Sequence, residues 1–224
     1  MMHKAKIGKF EVFYQDQTEF SGLRREIFQE EIYQFSAETQ TPRIIDAGAH
    51  IGLATLYFKT LYPQTIITCF EPILENFQLL EKNIYQNGLL DVKCEMVALA
   101  PKDGQITLHV DPSTSQWFSS ASIRPQAWNG TQPTKPVQVK TLSLLPWLDL
   151  PVDLLKMDIE GAEWQVLPTI KSHLHQIKQL IIECHPNHDN LLSSLVNLLE
   201  NQGFQATQSA HHEKLVLLRA KKNT

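Results

Sequence analysis

Arg43-Ile44-Ile45-Asp46-Ala47-Gly48-Ala49-His50-Ile51-Gly52 reads as a short strand, a glycine-bearing turn and the start of a helix. Ile44 and Ile45 are adjacent β-branched residues, the pattern of a strand covered on both faces. Gly48 and Gly52 permit a tight turn and a close approach of backbone to a ligand. Leu53-Ala54-Thr55-Leu56-Tyr57-Phe58 then continues with helical apolar spacing. A strand–glycine loop–helix unit is where doubly wound α/β proteins bind nucleotides.

Working outward, Thr65–Phe70, Val92–Val97, Val152–Asp158 and Gln179–Cys184 read as further strands, alternating with helices over Ile73–Asn87, Ala162–His175 and Asn190–Asn201. Phe204–Ser209 and Lys214–Arg219 read as a closing hairpin, with His211 and His212 as solvated residues of its turn. The expected fold is α/β: a Rossmann-like, doubly wound, mostly parallel seven-stranded sheet with helices on both faces and a C-terminal antiparallel hairpin. Residues 1–40 form an N-terminal extension, with an edge strand at Phe10–Tyr14 and a helix over Gly22–Ala37 capped by Ser21, packing on a main domain at 41–224. Gln105–Val110 and Val137–Thr141 read as strands on either side of an irregular Pro-, Ser- and Asn-containing insertion at 111–136. A loop of that length inside a compact domain usually carries function. Trp117, Phe118 and Trp128 lie in it, placed either to stack on a substrate or to tuck the loop against the sheet.

Composition narrows the class. The chain is 42% hydrophobic and 20% charged, as a globular protein is, and its net charge of -4 argues against a nucleic-acid partner. No apolar run approaches the length of about eighteen residues needed for a membrane span, and no leader is evident at Met1–Lys6, so a cytoplasmic location is expected. Cys69, Cys94 and Cys184 each sit in a strand-like apolar run and read as small buried hydrophobes, not a disulfide or zinc set.

Candidate chemistry gathers where ligands sit in such folds, beyond the carboxyl ends of the strands. Glu71, ending the second strand, suits the ribose hydroxyls of a nucleoside; its plain structural alternative is an acid at the N-terminus of the next helix. The loop Asp46-x-Gly48-x-x-x-Gly52 differs from the G-x-G-x-x-G of pyrophosphate binders. An acid at the strand end repels phosphate and suits a ligand with an ammonium near a sulfonium, which points to S-adenosylmethionine and away from NAD. Lys156-Met157-Asp158-Ile159-Glu160-Gly161-Ala162-Glu163 places three carboxylates and a lysine at the end of the fourth strand, and Glu183-Cys184-His185-Pro186-Asn187-His188 ends the fifth. His185 is a candidate general base, since an imidazole titrates near neutrality. Asp158, Glu183 and His185 are a candidate divalent-metal set, with a hydrogen-bonded structural network as the alternative.

Three stretches together resemble the FkbM family of S-adenosylmethionine-dependent methyltransferases: Ile45–Gly52, Phe70-Glu71-Pro72 and Leu155–Glu163. The first two are common to many methyltransferases, and the third is the distinctive one. The resemblance implies methyl transfer, most often to a hydroxyl oxygen of a small natural product or sugar. It implies cofactor contacts at Asp46, Gly48, His50, Gly52, Glu71, Pro72 and Asp158, with Ala98 and Leu99 against the adenine. Asp158, Glu160 and His185 are then the candidates for positioning and deprotonating the acceptor. His50 departs from the asparagine that the family often carries there. A binding protein without turnover and a nucleic-acid methyltransferase are the alternatives to an O-methyltransferase.

Overall fold

The computed structural model describes residues 2–110, 121–122, 134–186, 190–212 and 215–222. In chain order its elements are β1 (His3–Ile7), β2 (Phe10–Tyr14), α1 (Gln17–Phe28), β3 (Arg43–Ala47), α2 (Leu53–Leu61), β4 (Ile66–Phe70), α3 (Leu74–Gln86), β5 (Val92–Glu95), β6 (Ala98–Leu99), β7 (Gly104–Val110), β8 (Ala121–Ser122), β9 (Lys135–Leu142), β10 (Val152–Met157), α4 (Glu163–Thr169), β11 (Ile177–Cys184), α5 (Leu192–Glu200), β12 (Phe204–His212) and β13 (Leu215–Lys222). Seven strands form the main sheet in the order β12-β13-β11-β10-β3-β4-β5. The strands from β11 to β5 run parallel, and β13 is antiparallel to both its neighbours. The chain winds outward from β3 through β4 to β5, then returns to lay β10 on the other flank of β3. That reversal puts the mouth of the sheet between β3 and β10, where ligands of doubly wound folds bind. Ile44, Ile45 and Ala47 of β3, and Leu154, Leu155 and Met157 of β10, are wholly buried, as central strands covered on both faces must be.

The N-terminal helix differs from its expected limits. It starts at Gln17 because the Asp16 carboxylate accepts from Glu19 N at 2.8 Å, while Ser21 Oγ only receives the Gln17 side chain on the exposed face. It stops at Phe28, so the apolar residues beyond it, Ile32, Tyr33 and Phe35, are buried from irregular backbone. Phe35 meets Phe58 of α2 edge-on at 5.9 Å. The β1–β2 hairpin is bound to α3 by two asparagines: Asn83 and Asn87 each accept from and donate to the backbone of β2, at Phe13 and Glu11. They satisfy one edge of β2 as a neighbouring strand would.

β7 and β9 were expected as strands, but they lie outside the main sheet. They form a separate four-stranded sheet, β6-β9-β7-β8, with its own small core of Ala98, Leu108, Val139 and Ile73. β9 begins at Lys135, inside the expected insertion; Trp117, Phe118 and Trp128 lie outside the described residues. The helix expected over 162–175 is also split. α4 ends at Thr169 and a 3-10 turn covers Lys171–Gln176; Pro168 lacks the N–H that a continuing α-helix needs. His211 and His212 end β12 and are not in a turn.

Gly48 is the tightest point of the architecture. It has φ +78°, and a Cβ there would lie 1.8 Å from the backbone oxygen of Asp158. Gly22, inside α1, has open space around its Cα and no positive φ. Gly48→Ala should therefore cost at least about 3 kcal/mol or abolish folding, whereas Gly22→Ala should stabilise the fold by about 1 kcal/mol. Chemical denaturation of the two variants checks both signs.

Candidate active site

The glycine loop is tied to β4. Phe70 O accepts from Gly48 N and Ala49 N, both at 2.9 Å, and the buried Glu71 carboxylate takes two more backbone donors, His50 N at 2.9 Å and Ile73 N at 2.9 Å. Glu71 thus acts as an acid at the start of α3 while facing the loop. Burial raises its pKa, the two backbone N–H groups oppose the rise, and the result is about 7. His50, in the loop, adopts a left-handed φ of 51°, and Gly52 one of 91°. A Cβ on Gly52 would approach Leu80 Cδ1 to 2.8 Å, so the loop and α3 are closely packed.

Lys156 lies at the centre of the mouth. Its side chain is 3% exposed, and its Nζ donates to Gly48 O at 2.6 Å, stands 3.3 Å from Asp46 Oδ1 and 3.9 Å from Asp158 Oδ2. It also lies 5.2 Å from the centre of the Tyr33 ring. Burial works against its charge, but Asp46, Asp158 and Glu183 outweigh that and raise its pKa, so it remains an ammonium. The second oxygen of Asp46 accepts from Thr55 Oγ1 at 2.8 Å, which leaves this fully buried carboxylate engaged on both sides.

The ends of β10 and β11 bring the other predicted residues together. His185 Nε2 is 3.0 Å from Glu160 Oε2, and its Nδ1 is 3.9 Å from Glu163 Oε1. Burial opposes a charge on His185; the hydrogen bond to Glu160 and the charges of Glu160, Asp158 and Glu163 prevail and push its pKa up to about 10. His185 is therefore an imidazolium at neutral pH in this arrangement, without the lone pair of a ready base. Glu160 reaches it from a left-handed φ of 58°, a strained setting of a kind that collects at functional sites. Glu163 is fully buried; its Oε1 accepts from Ile159 N and Gly161 N and so shapes the turn into α4, while burial lifts its pKa to about 7. Asp158, with 26% of its side chain exposed, is the more open member of the cluster.

Asp158, Glu183 and His185 each offer a ligand atom within 4.8 Å of the others, so the set considered for a divalent ion does converge. The ammonium of Lys156 and the imidazolium of His185 already supply positive charge there, and a dication would have to displace the histidine proton. Ala98 and Leu99 form the buried β6, and Leu99 also lines a cleft of about 330 Å³ with Thr107, Ala162 and Gln165. Pro72 is half-buried beside Glu71. His188 lies outside the described residues.

Two site residues were not anticipated from the sequence. Tyr33 directs its hydroxyl at Glu183 Oε2, 3.4 Å away, and burial together with Glu183, Asp158 and Asp46 raises its pKa, so the phenol stays a neutral donor. Glu19, on α1, places Oε1 3.4 Å from His50 Nε2. Both come from the segment ahead of the first core strand, where spacing gives no register to the sheet. The one available signal was an acid on a helical stripe whose neighbours are apolar.

Residues 46–206 match the profile of the Methyltransferase FkbM domain. The chain is 31% identical over 201 residues to Methyltransferase 1 of Beauveria bassiana (strain ARSEF 2860), covering 81% of this chain and 80% of that one. It is 28% identical over 159 residues to the 2-O-methyltransferase NoeI of Sinorhizobium fredii (strain NBRC 101917 / NGR234), covering 65% and 64%. Among solved structures it superposes on an FkbM methyltransferase from Methylobacillus flagellatus KT with a TM-score of 0.62 at 16% identity, covering 88% of this chain and 47% of that one. The chain thus spans about half the length of that structure. No helix among the described residues is long and apolar enough to cross a membrane.

The raised carboxyls set a pH dependence. Glu71 and Glu163 bind protons more tightly folded, at about 7, than at their ordinary 4.5. Their contribution to stability is complete below about 4.5 and is lost as pH rises through about 7. In the ligand-free protein, Glu163→Gln should flatten the pH dependence of the melting temperature between pH 5 and pH 8 and raise that temperature most at the alkaline end. Melting curves of both proteins across that range test it.

Proposed function

We propose that this chain, which belongs to the FkbM methyltransferase family, transfers a methyl group from S-adenosylmethionine to a hydroxyl oxygen of a small molecule. The observation that carries the reading is the juxtaposition, across the β3–β10 switch, of a glycine loop locked to Glu71 with the acid–imidazole cluster of Asp158, Glu160 and His185. Hydroxyl oxygen as the acceptor atom is supported by the similarity to NoeI, whose name specifies 2-O-methylation. The family's donor supplies an electrophilic methyl carbon on a sulfonium; the remaining requirements fall on the chain.

Glu71 offers a carboxylate at the end of β4 for the ribose hydroxyls, and its present partners, the N–H groups of His50 and Ile73, fix its orientation before any ligand arrives. An alcohol becomes a useful nucleophile only as its proton begins to leave. Asp158 is best suited to receive that proton: it is more exposed than Glu160 and Glu163, and its Oδ2 stands 3.9 Å from Lys156 Nζ at the mouth of the sheet. His185 enters as a donor held by Glu160, able to position an acceptor oxygen. Among the described residues, the four acids Asp158, Glu160, Glu163 and Glu183 gather around Lys156 and His185, a surplus of carboxyl groups that disfavours phosphorylated or carboxylated acceptors and favours neutral polyhydroxyl ones.

Saturating S-adenosylmethionine should raise the melting temperature, corresponding to about 2.7 kcal/mol at a hundredfold excess over Kd. With an acceptor found by a one-methyl mass shift, Asp158→Asn should lower kcat by about 10²–10⁴. A kcat that climbs toward about pH 10 would instead assign the task to His185. Exhaustive chelation should leave the rate unchanged, and a loss restored by Mg²⁺ or Mn²⁺ would assign Asp158, Glu183 and His185 to a metal.

A further inference from the structure

S-Adenosylmethionine and its product end in an amino acid, and the ammonium of that end needs an acid. The carboxylates around the loop are largely committed. Asp46 is buried between Thr55 and Lys156, both oxygens of Glu71 hold backbone N–H groups, and Asp158 faces Lys156. Glu19 differs. Its side chain is 8% exposed, and among the described residues its Oε1 makes no hydrogen bond. The nearest polar group is His50 Nε2 at 3.4 Å, which also makes none. Burial lowers the pKa of His50 ahead of the opposing pull of Glu19 and Asp158, so the imidazole is neutral at pH 7. A buried carboxyl oxygen without a hydrogen bond is costly unless a donor joins it. His50 lies between Gly48 and Gly52, immediately before α2, whose N-terminal end suits the carboxylate of the same amino-acid group.

We infer that Glu19 and His50 form the subsite for the amino-acid end of the cofactor, with Glu19 accepting from its ammonium. The assignment rests on the cofactor reading above and adds to it a residue outside the matched family domain. His50 then receives or donates one hydrogen bond at the same end, from a position that a left-handed backbone fixes.

Calorimetric titration of the full chain with two probes tests this: S-adenosylhomocysteine, and 5′-methylthioadenosine, which has the nucleoside and sulfur but no amino acid. Glu19→Gln should weaken S-adenosylhomocysteine by about tenfold or more, the loss of one charge-assisted hydrogen bond, and leave 5′-methylthioadenosine unchanged. Glu19→Asp, which keeps the charge but withdraws it by one methylene, should show the same selective loss. Unchanged binding of both probes to Glu19→Gln overturns the subsite. Equal weakening of both also overturns it, because Glu19 would then act through the packing of α1. A wild-type chain that binds neither probe overturns the cofactor reading itself, and the subsite with it.

Discussion

The buried ammonium of Lys156 is the constraint around which the mouth of the sheet is arranged. A lysine at 3% exposure in the central strand of an α/β sheet is stable only with several partners, and it has them: the backbone oxygen of Gly48, the carboxylates of Asp46 and Asp158, and the face of Tyr33. Removing one side of such a buried pair typically costs about 3–5 kcal/mol, because the other is left charged and dry. Each partner lies on a different element. One cation therefore joins β3, the glycine loop, the end of β10 and the N-terminal segment, and the loop takes its shape partly from a charge on the neighbouring strand.

Close backbone contact extends this arrangement. Gly48 has no room for a side chain because the Asp158 carbonyl lies against it, and Asp158 N in turn donates to Ala47 O at 3.0 Å. The loop after β3 and the turn after β10 are thus one packed unit. A shift of either would move Asp158 relative to Glu71. Two non-glycine residues in left-handed backbone, His50 and Glu160, stand at the two ends of this unit. Each is held by an ionic or hydrogen-bonded neighbour, the usual way such strain persists at a working site.

Much of this was legible in the chain. The short apolar runs before glycine and proline turns locate β3, β4, β10 and β11, because a buried parallel strand permits little else. Glu71, Asp158 and His185 could be singled out because the carboxyl ends of such strands are where chemistry collects. Other features were hidden for physical reasons. Asp16 and Ser21 are both good caps, and spacing alone does not show that Asp16 is the one that accepts from the first turn of α1. Alternation identified β7 and β9 as strands but carried no information about which sheet they join. Lys156 left a clue that composition alone would not use: one lysine in the otherwise apolar end of Val152–Met157 requires a counter-ion from elsewhere. Tyr33 left none, since its partners are distant in sequence, and Glu19 left only its place as an acid on an otherwise apolar helical stripe.

The matched family domain begins at Asp46, yet the ring of Tyr33 lies 5.2 Å from Lys156 and the carboxylate of Glu19 lies 3.4 Å from His50, both within that domain. The start of the matched domain and the set of residues packed around the glycine loop are therefore different lines. A chimera joined at Asp46 would exchange part of the pocket wall along with the leading segment, and would carry one parent's Tyr33 to the other parent's lysine. Joints placed before β1 would leave that wall whole. Divergence among relatives in those first forty or so residues would then be a means of retuning the pocket while the sheet stays constant.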